Sequence, residues 1–240
     1  MAEYVGKTLT RTQVDRLGER LKTGEPSEAD FRQLDSYRRS FMEPYEFVVK
    51  VVRDQLNLEP TGRPAKSTVS IRDKLRRESI RLSQMQDIAG CRMVVDDLVE
   101  QDRIATSLLE EFSDTTVVDR RSNPSHGYRA VHVIVRLQGR SIEIQIRTAL
   151  QHLWAEFSEK LADIFDPALK YGGGAKDLVK VLLESSAAMS RYEILEKRMI
   201  LLVASGTVGH EIDALQAEMA LSRKHLVDIL ETAKTTVMKA

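Results

Sequence analysis

The residues with the most chemistry in one short stretch lie between Asn123 and Thr148. The stretch reads Asn123-Pro-Ser-His-Gly-Tyr-Arg-Ala-Val-His132, then Val133-Ile-Val-Arg-Leu137, a Gln138-Gly139 break, and Arg140-Ser-Ile-Glu-Ile-Gln-Ile-Arg-Thr148. Both runs alternate with period two about a Gly-containing break, which predicts an antiparallel hairpin. Pairing Leu137 with Arg140 sets His132 opposite Gln145, Ala130 opposite Arg147 and Ile134 opposite Glu143. Glu143, Gln145 and Arg147 then share a face with His132 and, at the strand mouth, Tyr128, while Ile142, Ile144 and Ile146 take the other face. An aromatic at a Gly-led loop tip beside an imidazole, an amide, a carboxylate and a guanidinium suits a functional face, because function concentrates in loop and sheet sites. A merely solvated face is the alternative, since antiparallel sheets often have one wet side.

A second concentration lies upstream. Thr61 to Arg81 holds Arg63, Lys66, Arg72, Lys74, Arg76, Arg77 and Arg81 against Asp73 and Glu78, a strongly basic window. Ser70 is expected to open a helix with Lys74 and Arg77 along one side and Ile71 and Leu75 inward. A basic loop entering a helix start suits phosphate, because free N–H groups and cationic side chains converge there. The bland alternative is a solvated cationic helix. Asp87-Ile-Ala-Gly-Cys-Arg-Met-Val-Val95 follows and reads as a buried strand from Gly90, with Asp87 at its entrance and Arg92 within it. The run from Gly90 to Val95 contains no acid, so Arg92 either edges a pocket or meets a carboxylate from elsewhere.

An alternation of strands and covering helices must position these groups. Asp96 and Asp97 mark the turn into a helix from Leu98 to Phe112, with Ile104, Leu108 and Leu109 apolar, and Thr115 to Val118 is a further strand, so the core is α/β. Ahead of it, Val14, Leu17 and Leu21 predict a short helix ended near Gly24 and Pro26. Ser27 with Asp30 caps a second carrying Phe31, Leu34, Tyr37 and Phe41. Pro44 breaks or kinks the pattern before Tyr45, Val48, Val49, Val52 and Leu56 resume it. After Thr148, Leu150, Leu153, Trp154, Phe157, Leu161 and Ile164 recur at helical spacing, and Trp154 is most simply core. His152 and Glu156 lack the further ligands a zinc site needs. Tyr171-Gly-Gly-Gly174 is a hinge or turn, with no Gly-Lys-Ser/Thr behind it to make a phosphate loop. Ala175 to Ala240 reads as two long helices broken around Gly206 to Gly209, their stripes (Leu178, Val181, Leu182, Leu215, Met219, Leu226, Ile229, Leu230) packing within the molecule.

Lys plus Arg and Asp plus Glu both number 36, so bulk charge attracts no polyanion and any phosphate site is local. The single Cys91 has no disulfide partner or metal-ligand spacing, which points to a reducing compartment. Met1 to Lys7 holds no apolar leader and no run reaches membrane-spanning length, so the expected location is the cytoplasm, with no membrane partner.

Asp87-Ile-Ala-Gly-Cys-Arg92, His126-Gly-Tyr-Arg-Ala-Val-His132 and Glu143-Ile-Gln-Ile-Arg-Thr148, behind the basic Lys66 to Arg77 segment, resemble in order and spacing the synthetase domain of the RelA/SpoT family. The likeness covers residues 60 to 162. It implies a nucleotidyltransferase-like α/β (α+β) core, a mixed and mainly antiparallel sheet of about five strands flanked by helices. The organisation expected is an N-terminal helical segment (1–57), a pyrophosphotransferase core (58–165) and a C-terminal helical extension (166–240). The implied reaction moves the β,γ-pyrophosphoryl group of ATP to a ribose 3′-hydroxyl. Asp87 and Glu143 resemble the family's carboxylate pair that holds Mg2+, and Glu143 also the group that helps deprotonate the attacking hydroxyl. Lys66, Ser70, Lys74 and Arg77 match the ATP-phosphate segment. Arg63 resembles the arginine that packs on adenine, one residue upstream of the usual spacing, and Arg92 fits the same donor pocket. Tyr128 matches the tyrosine on which the acceptor base stacks, with His132, Gln145 and Arg147 as the polar wall beneath it.

The departures bear on the acceptor. Nucleotide-using relatives read Pro-Lys-x-Asn-Gly-Tyr up to the tyrosine, whereas this chain reads Asn123-Pro-Ser-His-Gly-Tyr128 and so lacks the phosphate-directed lysine. The loop resembles the toxin branch of the small synthetases, which pyrophosphorylates the 3′ end of tRNA or makes adenosine alarmones. Arg120, Arg121 and Arg129 are candidates to meet an RNA acceptor stem. None of the five His residues is followed by Asp, so the hydrolase domain of long members is missing and a neutralising antitoxin or a separate hydrolase is implied. The expectation is a toxic tRNA 3′-end pyrophosphokinase, with a guanosine alarmone synthetase using GDP or GTP second and an inactive RNA- or nucleotide-binding module last. Self-association is compatible with each.

Overall fold

The computed structural model describes residues 9–239, so Met1 to Lys7 lie outside the described residues. In chain order the elements are α1 (Arg11–Thr23), α2 (Glu28–Arg39), α3 (Met42–Leu56), β1 (Thr61–Arg63), α4 (Thr68–Arg77), β2 (Ala89–Val95), α5 (Leu98–Glu111), β3 (Thr115–Asp119), β4 (Val131–Leu137), β5 (Arg140–Thr148), α6 (Ala149–Ile164), α7 (Lys176–Ala204) and α8 (His210–Lys239). The strands bond in the order β1-β2-β5-β4-β3, the expected mixed α/β arrangement of five strands with helices. β1 runs antiparallel to β2, with Thr61 opposite Arg92 and Arg63 opposite Gly90. β4 and β5 form the expected hairpin. Its two turn residues, Gln138 and Gly139, both take positive φ (51° and 72°), whose twist matches that of the flanking strands.

The chain forms two compact units. One holds residues to Met93, Leu109–Val117 and Val133–Gln145; the other holds Val94–Leu108, Val118–His132 and the chain from Ile146.

In the first unit Val14, Leu17 and Leu21 are buried as their spacing predicts, and Ser27 and Asp30 cap α2 reciprocally. Phe31 is a correction: it is exposed on that helix. Pro44 falls in the first turn of α3, where its missing N–H breaks no helical bond, so a new helix starts there and none is kinked. The cap of α4 is a second correction. Ser67 fills it, its hydroxyl accepting from the Ser70 N–H at 3.1 Å, so the helix begins three residues before the expected Ser70 start. Ile71 and Leu75 are buried, and Arg72 and Arg76 donate to the Leu21 and Lys22 carbonyls near the end of α1, both at 3.4 Å. Leu109 was expected inward and is exposed. Ile142 and Ile144 are fully buried on the apolar side of β5.

In the second unit the Asp97 carboxylate accepts from the N–H groups of Val99 and Glu100 (2.7 and 2.9 Å), starting α5 as predicted. Thr148 and Gln151 form the capping box of α6. Trp154 and Leu161 are buried, whereas Leu153 and Ile164 are exposed, so the buried stripe is narrower than the apolar spacing suggests. Trp154 packs in one cluster with Leu178, Leu182, Met189 and Leu226. Gly172 and Gly174 turn the chain at positive φ (75° and 84°) before α7, and Gly206 and Gly209 break α7 from α8. Among the described residues no helix is long and apolar enough to cross a membrane.

Candidate active site

In the first unit the chain returns on itself so that the Lys66 N–H donates to the Ile88 carbonyl at 2.6 Å, which brings the basic loop alongside Asp87. Lys66 Nζ then donates to Asp87 Oδ2 at 2.6 Å, and Lys74 Nζ, from the capped helix α4, to Oδ1 at 3.0 Å. Each carboxylate oxygen therefore carries its own ammonium. Burial pushes the Asp87 carboxyl upward, but Lys74 and Lys66 outweigh it, and the group titrates below its ordinary 3.8. Arg63 donates to the Asp87 carbonyl at 3.4 Å. The Ser70 hydroxyl accepts from Ser67 Oγ at 2.8 Å, and Arg77 pairs with Glu78 at 3.0 Å.

The second acid of the unit lies on β5, the strand beside β2. Gly90, three residues beyond Asp87, is what permits the approach: a Cβ there would sit 2.4 Å from the Glu143 carbonyl oxygen and 3.3 Å from the Glu143 Cβ. Glu143 accepts from Gln145 Nε2 at 2.8 Å. Burial, with the Glu143 charge adding to it, pushes the neighbouring Cys91 thiol up to about 12, so this cysteine packs and does not act as a nucleophile. Arg92 lies half-buried on β2, its backbone opposite Thr61.

In the second unit Tyr128 is set by a tight turn. Ser125 and Tyr128 exchange both backbone bonds (3.2 and 2.9 Å), and the two residues between them, His126 and Gly127, both take positive φ (52° and 91°), as a type I′ turn requires. The Tyr128 hydroxyl shares a 2.9 Å bond with His132 Nε2 and accepts from Arg147 Nη2 at 3.0 Å, while the Arg147 guanidinium lies 5.0 Å from the ring centroid. Tyr128, His132 and Arg147 thus converge as expected.

Arg121 has a different surrounding from the one anticipated. Its guanidinium donates to both Asp119 oxygens and, at 2.7 Å, to Asp102, which also accepts from Lys197 at 2.5 Å. Burial lowers the Arg121 pKa, but the two acids outweigh it and the net shift is upward. Arg129 is likewise engaged, donating to Ser186 Oγ at 3.1 Å and to the Arg121 carbonyl. Sequence reading missed these partners, as it missed buried Glu193. Asp102 lies 19 residues from Arg121 and 95 from Lys197, separations at which no periodicity or motif gives a signal.

His152 Nε2 lies 3.6 Å from Glu156 Oε1, and among the described residues no three His, Cys, Asp or Glu side chains gather into a metal cage. A hard divalent cation completed by substrate oxygens needs only one or two carboxylates, and ionised Asp87 with Glu143 on the adjacent strand fits that donor set.

The strand order and flanking helices make a mixed α/β fold in which Asp87 lies just ahead of β2 and Glu143 on the neighbouring β5. The small alarmone synthetase 1 from Bacillus subtilis bound to its product pppGpp is 29% identical, with a TM-score of 0.55 over 74% of this chain and 100% of that one. The same protein bound to AMPCPP is also 29% identical, with a TM-score of 0.50 over 75% and 100%. Residues 62–162 match the model of the region found in RelA/SpoT proteins. An uncharacterized protein of Mycobacterium bovis is 39% identical over 145 residues, 54% of this chain and 53% of the relative. The chain spans about half the length of the curated relatives it matches.

Proposed function

We propose that this chain is a pyrophosphokinase that moves the β,γ-pyrophosphoryl group of ATP to a ribose 3′-hydroxyl. The observation that carries the reading is Asp87, ionised and gripped by Lys66 and Lys74, at the entrance of the strand beside that of Glu143. The acceptor oxygen attacks the β-phosphorus, the bond from that phosphorus to the α,β-bridging oxygen breaks, and AMP leaves. Glu143 takes the hydroxyl proton. Lys66, Lys74 and Arg77 balance the triphosphate charge and Ser70 adds a hydroxyl, while Arg63 and Arg92 hold the rest of the donor. Asp87 and Glu143 would hold Mg2+, which supplies charge neutralisation in a reaction that depends on positioning and electrostatics. Tyr128 stacks the acceptor base, a contact worth about 1 to 3 kcal/mol. His132, Gln145 and Arg147 fix the acceptor polar groups. Residues 58–165 form the transferring core in this reading, with 1–57 and 166–240 as its helical supports.

The acceptor we favour is the 3′ CCA end of tRNA, which makes the protein a translation-inhibiting toxin of the cytoplasm that requires an antitoxin or a separate hydrolase. The turn from Asn123 to Tyr128 carries no lysine, and Arg121 and Arg129 are engaged within the protein. A polynucleotide end carries a single phosphodiester where a free nucleotide carries a di- or triphosphate, so it needs less positive charge. A guanosine nucleotide acceptor is the second reading, supported by the likeness to a synthetase whose product is pppGpp. An adenosine nucleotide or an inactive binding module follows. Incubation with γ-labelled ATP and, separately, GDP, GTP, AMP and deacylated tRNA decides among them. Label on tRNA is expected; label on free nucleotides alone would overturn the tRNA acceptor, and label on nothing with folded protein would favour the inactive module.

A further inference from the structure

We propose that Ser186 on α7, supported by Glu193, is a positioning residue that fixes the loop presenting Tyr128 and thereby sets affinity for the acceptor. The inference rests on the reading of Tyr128 as the acceptor-stacking residue. Ser186, Met189 and Glu193 recur at i, i+3 and i+7 and are 3%, 4% and 3% exposed, so they form one buried side of α7. Two of the three are polar, and buried polar groups are costly unless they are bonded.

The bonds they make converge on one place. Ser186 Oγ donates to the Gly127 carbonyl at 2.5 Å and accepts from Arg129 Nε at 3.1 Å, so one hydroxyl holds the residues on both sides of Tyr128. Arg129 also donates to the Arg121 carbonyl, which ties the start of the loop to its end. Behind the turn Gly127 lies against the indole, where a Cβ would come within 2.7 Å of Trp154 Cζ2, and Trp154 Nε1 donates to the Leu182 carbonyl of α7 at 2.9 Å. Glu193 accepts from the Thr148 hydroxyl and, at 3.3 Å, from Gln151 Nε2. Thr148 follows Arg147, which reaches the Tyr128 hydroxyl. The helix therefore holds both chain segments that meet at that hydroxyl, and Tyr128 packs on the same cluster as Leu178 and Leu182.

A group that merely fills the core and a group that aims Tyr128 differ in what their loss changes. Steady-state transfer from γ-labelled ATP is measured with GDP and with deacylated tRNA for wild type and Ser186→Ala. Losing both Ser186 hydrogen bonds, each of ordinary strength, predicts an acceptor KM raised about five- to 150-fold, with the ATP KM and kcat nearly unchanged. Glu193→Gln keeps an oxygen for the Thr148 hydroxyl and should leave the acceptor KM near wild type, whereas Glu193→Ala should raise it. This pair carries the test if Ser186→Ala fails to fold. Trp154 is the chain's sole tryptophan and reports on the loop independently of turnover, so its emission should shift in Ser186→Ala. An unchanged acceptor KM, or equal changes in both KM values together with lost stability, would overturn the proposal. A wild type that labels neither probe would sink the proposed function instead. Trp154 emission still judges the clamp in that case, and an unshifted spectrum in Ser186→Ala rules it out.

Discussion

Asp87 in the first unit and Glu193 in the second are both carboxylates removed from bulk water, yet their neighbours differ in kind. Asp87 bonds two ammonium groups and its pKa falls; Glu193 bonds a hydroxyl and an amide, and burial, the largest influence on it, outweighs these bonds and the more distant Arg129 and Arg121 and drives its pKa up. Ion pairs of the first sort are exchangeable, because an entering triphosphate can take the lysines and an entering cation the carboxylate. A buried hydrogen-bonded network of the second sort loses its bonds outright when disturbed. In the proposed reading the first cluster handles ligand and the second keeps shape, and each side can be attacked separately.

The largest effect is expected in the charged cluster. Glu143→Gln removes the proposed proton acceptor while keeping the side chain's shape, so transfer should fall by about 10²- to 10⁴-fold with circular dichroism and melting temperature preserved. A full rate in this variant would break the assignment of β5 as the catalytic strand. Asp87→Asn should also abolish most transfer, and it carries a pH signature besides. A folded pKa below 3.8 means that Asp87 adds stability above 3.8 and loses it as pH falls through the lower folded value. Acid titration of unfolding should therefore be flatter for Asp87→Asn in that window.

Tyr128→Ala addresses the other region at intermediate size. Loss of stacking worth about 1 to 3 kcal/mol corresponds to an acceptor KM raised about five- to 150-fold, with the ATP KM unchanged. Equal weakening of both substrates would break the proposed reading of Tyr128 as an acceptor residue.

How far each region was legible follows the same contrast. The hairpin was readable because Ile142, Ile144 and Ile146 alternate with Glu143, Gln145 and Arg147 and because Gly139 marks its turn. Helix starts at Ser27 and Asp97 were readable because a capping side chain acts within three residues. Local chemistry was ambiguous where two serines three apart could each cap, and Ser67 wins over Ser70. β1 escaped because three exposed residues show no alternation. Long-range pairings left no trace: neither the grip of Asp102 on Arg121 and Lys197 nor the bond from Thr148 to Glu193 has a sequence period. Clustered charges advertise themselves by composition, whereas a buried polar framework is visible only once the helices are packed.

That framework yields the smallest prediction. Glu193 has its folded pKa raised above the ordinary 4.5, so the native state binds a proton more tightly than the unfolded chain does. Its contribution to stability is complete below 4.5 and is lost as pH rises through the folded value. Glu193→Gln is neutral throughout and cannot lose anything over that interval. The melting temperature of the variant relative to wild type should therefore climb with pH across that window and level off above it. A difference that stays constant with pH would mean that Glu193 titrates as an ordinary surface acid, and the contrast with Asp87 would rest on partners alone.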